Sequence, residues 1–185
     1  LLDSSHANVH CIVNKRAGPT TKADNLNNMW WAIEANPEWQ SAFDAIILHD
    51  AEDKVHAQEL NLYAAYLGEH DLIQIPVLPL VDRNSMWVAG HYCDEFAEAH
   101  GKELPLRHAL GAPVPSAGVG TALHISLIEK LARTRGQPFD TESITEDYEL
   151  GWRAGLGGQR TIFVRAKASD GSLIATQAYF PDTLS

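Results

Sequence analysis

Three carboxylates stand close together directly after the most strand-like segment of the chain. Residues 43–48 are mostly apolar, and Asp50, Glu52 and Asp53 follow them in the order D-x-E-D. Hard divalent cations such as Mg²⁺ and Mn²⁺ prefer oxygen ligands and usually share them with phosphate oxygens. The triplet therefore indicates a metal site for a phosphate-bearing ligand, and a solvated acidic turn before a helix is an equally good interpretation of it alone.

A second acidic group, Thr145, Glu146 and Asp147, stands at the start of a predicted helix over residues 145–154. A carboxylate in this position can lie near a sugar hydroxyl and act as a general base. The alternative is a well-capped helix, because Ser143 and Glu146 have the spacing of a capping box. Asp147 is not needed for such a cap, so it is the stronger catalytic candidate.

Two weaker signals accompany the carboxylates. Lys22 precedes a predicted helix with capping residues, where it can face a diphosphate. Residues 115–121 contain two glycines that allow the backbone to approach a ligand closely, and they suit a simple turn equally well. The residues of interest in this glycine segment are Gly118, Val119, Gly120 and Thr121.

Strand-like and helix-like segments alternate along the chain. This alternation predicts an α/β fold with a largely parallel sheet, in which ligands bind beyond the carboxyl ends of the strands. The predicted strands are residues 9–13, 43–48, 72–78 and 161–165, and the predicted helices include residues 57–67, 87–100, 123–133 and 145–154.

The composition of the chain favours one globular domain and argues against several other classes of protein. The 185 residues suit one domain with a sizeable core, and we take residues 1–185 as that domain. A formal net charge of −10 argues against nucleic acid as a partner, because a basic face is needed to displace counterions. The two cysteines give no disulfide framework, and no apolar stretch is long enough to span a membrane.

The order of these motifs resembles the processive glycosyltransferases of family 2, the cellulose-synthase-like enzymes. Their K-A-G-N-L-N segment is similar to residues 22–27, with Asp24 in place of glycine. Their D-x-D matches residues 50–52 with Glu in the second acidic place, and their T-E-D matches residues 145–147. The stretches L-H-D-A-E-D, D-E-F-A-E, V-P-S-A-G-V-G-T-A and T-E-D-Y-E-L-G look like the phage-adsorption branch of bacterial inner-membrane glycosyltransferases.

The resemblance implies a GT-A type fold and an inverting transfer of a sugar from a nucleotide-diphosphate donor, with UDP as the expected nucleotide, to a growing envelope polysaccharide. It implies a divalent cation, Mg²⁺ or Mn²⁺, held by Asp50, Glu52 and Asp53, and donor contacts from Lys22 and Asp50. Asp147 would be the catalytic base. The acceptor side would be formed by Gly118, Val119, Gly120, Thr121 and Glu146.

The resemblance also implies segments that this sequence does not contain. We expect an upstream strand with an Asp that touches the nucleotide base, a Q-x-x-R-W motif after residue 180, and flanking transmembrane helices. The chain would then be the core of a cytoplasmic catalytic domain of an inner-membrane protein, inactive or weakly active alone, with cyclic-di-GMP acting through a further region. Two other functions stay open: an inactive nucleotide-sugar-binding or phage-receptor module, and a metal-dependent phosphohydrolase.

Overall fold

The computed structural model describes residues 9–81 and 86–179, in which helices and strands alternate. In this part of the chain the strands are β1 (Ala45–Leu48), β2 (Leu72–Gln74), β3 (Val77–Leu80), β4 (Thr121–His124), β5 (Thr161–Phe163) and β6 (Thr176–Tyr179). The helices are α1 (Lys22–Glu34), α2 (Pro37–Ala42), α3 (Glu59–Tyr66), α4 (Met86–Glu98), α5 (Leu104–Ala109), α6 (Ile125–Arg135) and α7 (Glu146–Leu156), and a π-helical turn (Ala99–Glu103) joins α4 to α5.

The larger sheet has four strands in the order β1-β4-β2-β5. Strand β4 is antiparallel to both β1 and β2, whereas β2 and β5 are parallel to each other. Three strands therefore run in one direction, and β4 runs against them.

Neighbouring residues of β2 pack on opposite faces of the sheet, because successive side chains of a strand point in opposite directions. Leu72 packs in a cluster with Trp30 of α1 and Leu150 of α7. Ile73 packs on the other face with Tyr63 of α3. Helices thus cover both faces of the sheet, which confirms the predicted α/β class.

A smaller sheet pairs β3 with β6 in parallel. The prediction of one continuous strand over residues 72–78 is therefore wrong, since β2 and β3 belong to different sheets. Pro76 lies between them and has no N–H to continue the first ladder. Its carbonyl instead accepts a hydrogen bond of 3.0 Å from the N–H of Thr176, so the chain crosses from one sheet to the other at this residue.

Two other predicted elements differ from the structure. Residues 9–13 form no strand, and Val13 is 81% exposed. The predicted helix over residues 123–133 begins later, at Ile125, because Thr121–His124 is strand β4. His124 ends that strand and caps the helix, since its Nδ1 accepts a hydrogen bond of 3.2 Å from the N–H of Ser126.

No helix within the described residues combines the length and the apolar composition needed to cross a membrane.

Candidate active site

Lys22 is placed by the cap at the start of α1. The side chain of Thr21 accepts a hydrogen bond from the N–H of Asp24, and the Asp24 carboxylate accepts one from the N–H of Thr21, which completes a capping box. Asp24 also pairs with Arg16. The residue that differs from the resembled K-A-G-N-L-N segment therefore stabilises the helix end that carries Lys22.

The ammonium group of Lys22 joins two other candidate segments. Its Nζ lies 2.7 Å from Oδ1 of Asp50 and donates a hydrogen bond of 3.3 Å to the carbonyl of Gly118. Asp50 lies just beyond β1 and Gly118 lies before β4, and these two strands are neighbours in the sheet. The sheet thus brings Lys22, Asp50 and the glycine segment together.

Asp53, one of the predicted metal ligands, lies inside the acidic turn. Its side chain is 1% exposed, and its Oδ2 accepts a hydrogen bond of 2.9 Å from the N–H of Asp50. The same oxygen lies 3.4 Å from Nδ1 of His49. A carboxylate with these contacts stabilises the turn and orients Asp50.

An ion pair between His49 and Glu59 lies next to this turn. Nε2 of His49 lies 2.8 Å from Oε1 of Glu59, which also accepts a hydrogen bond of 2.9 Å from the hydroxyl of Tyr63. Neither ring nitrogen of His49 has the alignment of a hydrogen bond, so the contact with Glu59 is electrostatic. Sequence analysis missed Glu59, although an acidic residue at the start of a helix near the acidic turn is a detectable signal.

The charges of this pair stabilise each other. Burial disfavours the charged form of His49, but the carboxylates of Glu59 and Asp53 outweigh it and raise the pKa of His49 above its usual value. Burial likewise opposes ionisation of Glu59, and the contacts with His49 and Tyr63 outweigh it and lower its pKa. Both directions favour an ionised pair beneath Asp50.

Glu146 and Asp147 open α7 without forming the capping box. Thr145 is the N-cap residue and makes no side-chain cap, and the hydroxyl of Ser143 accepts a hydrogen bond from the N–H of Thr145 instead. The interpretation of Ser143 and Glu146 as a capping box is therefore wrong. Neither carboxylate therefore takes part in a capping box.

Asp147 lies against Gly118. A Cβ built on Gly118 would lie 2.0 Å from Oδ2 of Asp147, and the φ of Gly118 is +73°. Only glycine satisfies both conditions, since other residues rarely adopt a positive φ and would displace the carboxylate. The other carboxylate oxygen, Oδ1, accepts a hydrogen bond of 2.7 Å from the N–H of Tyr148.

Glu146 lies close enough to Asp147, Asp50 and Lys22 for their charges to affect its pKa. Burial raises this pKa, the carboxylates of Asp147 and Asp50 raise it further, and Lys22 partly opposes them. Charges from the start of α1, the end of β1 and the start of α7 therefore act on one another. The local excess of negative charge is what a bound cation would offset.

Only part of the glycine segment faces this site. Val119 is 5% exposed, and Thr121 is fully buried with its hydroxyl 2.6 Å from Oε1 of Gln74. A Cβ on Gly120 would lie 2.6 Å from Oγ1 of Thr176. Three of the four glycine-segment residues predicted for the acceptor side thus pack inside the protein, and Gly118 is the member of the segment that contacts the other candidates.

Gln74 holds the glycine segment in place. Its Nε2 donates to the carbonyls of Ile75, Val119 and Gly120 at 2.8 to 3.1 Å, and its Oε1 accepts from the N–H of Ala117 at 2.7 Å. Sequence analysis did not single out Gln74. The detectable signal was a polar side chain inside an otherwise apolar strand.

A cleft of about 500 Å³ lies beside Asp147. Its walls include Phe96 and His100 from the α4 region, Ser116 from the glycine segment, and Tyr148 from α7. The volume is within the range of sites for small molecules, about 300 to 1,000 Å³.

Residues 45–184 match the family described as glycosyl transferase family group 2. The chain belongs to this family. Membership implies a GT-A fold, which agrees with the mixed α/β sheet and its flanking helices. It also supports sugar transfer as the chemistry, with a nucleotide-sugar donor and an acceptor as the substrates of the family.

Two curated relatives of this family-2 chain carry names that refer to phage adsorption. Bacteriophage adsorption protein B of Escherichia coli (strain K12) is 41% identical over 196 residues, which cover 96% of this chain and 26% of that protein. Bacteriophage N4 adsorption protein B of Escherichia coli O157:H7 shows the same identity and coverage. The chain thus spans about a quarter of the length of these relatives.

The donor set of this family-2 site suits a divalent cation that shares its ligands with a phosphate. The side chain of Asp50 is 42% exposed, and Glu52 is exposed on the same turn. Within residues 9–81 and 86–179, no three His, Cys, Asp or Glu side chains are grouped closely enough to form a metal site. Mg²⁺ commonly needs only one or two protein carboxylates when phosphate oxygens and waters complete its shell.

Proposed function

We propose that this chain carries out inverting, metal-dependent transfer of a sugar from a UDP-sugar to a growing envelope polysaccharide. The observation that carries the proposal is the position of Lys22, whose ammonium group contacts both the Asp50 carboxylate and the Gly118 carbonyl. Asp147 packs on the other side of Gly118. A phosphate-binding group and a candidate base are therefore separated by one glycine.

Lys22 and Asp50 form the donor side in this proposal. The lysine offers its ammonium group to the diphosphate of the donor. Asp50, with Glu52 from the same turn, would hold Mg²⁺ or Mn²⁺ at that diphosphate, and the cation supplies Lewis-acid compensation of the charge on the leaving group. Asp53, His49 and Glu59 fix the turn from which Asp50 projects.

Asp147 is the base. Its Oδ1 accepts a hydrogen bond from the N–H of Tyr148, its Oδ2 packs against Gly118, and the residue lines the cleft, where the carboxylate would accept the proton of the acceptor hydroxyl. The hydroxyl oxygen attacks the anomeric carbon of the donor as the bond to the diphosphate oxygen breaks, so one glycosidic bond forms and the nucleoside diphosphate leaves. Attack opposite the leaving group inverts the anomeric centre. General base catalysis of this kind typically contributes about 10² to 10⁴ in rate.

The names of the relatives favour one alternative, an inactive module that binds a nucleotide sugar and serves phage adsorption. The free position of Asp147 beside the cleft argues for turnover instead, because a binding module needs no base. We further place the reaction on the cytoplasmic side of the bacterial inner membrane, as the resemblance to the processive enzymes implies. Measuring transfer and phage adsorption in the same variants separates catalysis from adsorption.

The test of the donor site is a calorimetric titration of the full-length protein with UDP, with and without Mn²⁺. We expect binding that requires Mn²⁺ and that Asp50→Ala loses without a change in the unfolding temperature. Asp44→Ala is the matched control, because Asp44 is an exposed carboxylate at the opposite end of β1. Metal-independent binding that survives Asp50→Ala, or no binding by the wild-type protein, would contradict the proposal.

A further inference from the structure

His100 is a buried imidazole in the wall of the cleft that also contains Asp147. It lies in the π-helical turn (Ala99–Glu103) between α4 and α5, a type of distortion that is frequent at functional sites. The ring stacks on Phe96 at a centroid distance of 5.3 Å and meets the edge of Phe163 at 5.8 Å. These two aromatic rings fix the plane of the imidazole.

One ring nitrogen of His100 has a defined partner. The backbone N–H of Val77 donates a hydrogen bond of 3.2 Å to Nδ1, so Nδ1 carries no proton. In the neutral ring the proton then resides on Nε2, which becomes a hydrogen-bond donor. Burial lowers the pKa of His100 to about 4, so the ring is uncharged near neutral pH.

The donor nitrogen has no hydrogen-bond partner among the described residues, where the one hydrogen bond of the imidazole joins Nδ1 to the N–H of Val77. The ring is 6% exposed and lines the cleft. The ring separates the cleft beside Asp147 from an apolar cavity of about 250 Å³ that Val77 also lines. Because Nδ1 is turned toward Val77, the geometry points to Nε2 facing the cleft.

We propose that His100 is a substrate-binding residue whose Nε2–H donates a hydrogen bond to an acceptor sugar oxygen beside Asp147. This inference rests on the proposed function, because it assigns the cleft to the acceptor. A neutral donor suits this place for an electrostatic reason. A protonated ring would attract the Asp147 carboxylate and weaken it as a base, whereas an uncharged N–H orients the acceptor without that effect.

Two substitutions test the roles of the two ring nitrogens of His100 separately. His100→Asn keeps an acceptor near the position of Nδ1 for the Val77 N–H and removes the donor at Nε2. His100→Gln keeps an amide N–H near the position of Nε2 and gives up the acceptor at Nδ1. A role in substrate binding and a role in folding therefore predict opposite results for the pair.

The assay measures polymer formation by the full-length protein from UDP-N-acetylhexosamine and UDP-hexose donors at varied concentrations of the isolated wild-type polymer. We expect His100→Asn to raise KM for the polymer about threefold to tenfold, the loss of one neutral hydrogen bond, with UDP binding unchanged. His100→Gln should stay near the wild-type KM and lose thermal stability. If Asn behaves as wild type while Gln loses activity, His100 is structural and the inference is overturned.

The outcome also distinguishes this inference from the proposed function. If the wild-type protein transfers sugar and His100→Asn has an unchanged KM for the polymer, the role of His100 alone is overturned. If the wild-type protein neither binds UDP nor forms polymer, the proposed function and the role of His100 are both overturned. If either variant fails to fold, nitrogen NMR of the wild-type protein decides the question. We expect a proton on Nε2 of His100 and a shift of that resonance when polymer is added, and an unshifted resonance would overturn the inference.

Discussion

Oδ2 of Asp147 lies where a side chain on Gly118 would begin, 2.0 Å from the position of its Cβ. The candidate base is therefore positioned by the absence of a side chain on the opposite segment. The carbonyl of Gly118 accepts the hydrogen bond from Lys22, so one glycine contacts both Lys22 and the candidate base.

Gly118→Ala should lower both stability and transfer. The substitution places an alanine at a φ of +73°, which residues with a side chain rarely adopt, and its Cβ pushes the Asp147 carboxylate away. We expect a loss of about 1 to 3 kcal/mol in the free energy of unfolding, measured with denaturant, and a large fall in kcat. Gly111→Ala is the matched control, because Gly111 has φ of +66° and open space around it. Equal kcat in the two variants would mean that contact with Asp147 is unimportant.

Asp147→Asn should abolish most of the turnover and leave donor binding intact. The amide keeps the shape of the carboxylate and its contact with Gly118, but it cannot accept the proton of the acceptor hydroxyl. We expect kcat to fall by about 10² to 10⁴ with an unchanged Kd for UDP in the presence of Mn²⁺. A variant that transfers sugar at the wild-type rate would exclude Asp147 as the base.

Lys22→Gln should weaken donor binding about tenfold, because a charge-assisted contact to phosphate is lost. Lys130→Gln is a close control, since both lysines donate a hydrogen bond of 3.3 Å to a glycine carbonyl and only Lys22 also contacts Asp50. Calorimetry with UDP and Mn²⁺ compares the two variants. Equal affinities would show that Lys22 has no special role in binding the diphosphate.

Glu146→Gln should make stability less dependent on pH. The folded protein raises the pKa of Glu146 above its ordinary value of 4.5, so ionising this residue costs stability as the pH rises from that value through the folded pKa. The Glu146→Gln variant has no carboxylate to ionise at this position, so it does not lose this stability. We expect its Tm to exceed the wild-type value near pH 7 and to match it below about pH 4.

The control for this experiment is Glu142→Gln, a substitution at an exposed glutamate in the preceding loop. Its Tm should follow the wild-type profile. A Glu146→Gln profile that is parallel to the wild-type profile at every pH would show that the folded protein does not raise the pKa of Glu146.

Local signals in the sequence were sufficient for several elements. The capping residues near Lys22 predicted the helix that the structure shows as α1, and the apolar run before Asp50 predicted β1. Such features depend on neighbouring residues, which a single sequence displays directly. The roles of Asp50, Glu52, Lys22 and Asp147 remain predictions.

The features that could not be predicted from the sequence depend on residues far apart in the chain. The direction in which Asp53 points follows from the N–H of Asp50 and from His49, which Glu59 holds from α3. The burial of Thr121 follows from Gln74, 47 positions away. The break at Pro76 follows from its pairing with Thr176. No periodicity or spacing within a short window contains this information.

The backbone of the acidic turn is tied to the last described strand. Lys54 and Gln177 exchange two backbone hydrogen bonds of 2.8 and 3.0 Å, and the hydroxyl of Thr176 lies 3.4 Å from Oε2 of Glu59. A ribosome makes Asp50 long before it makes Gln177, and contacts between such distant residues are slow to form. The acidic turn of the nascent chain therefore gains these contacts only after β6 has left the exit tunnel.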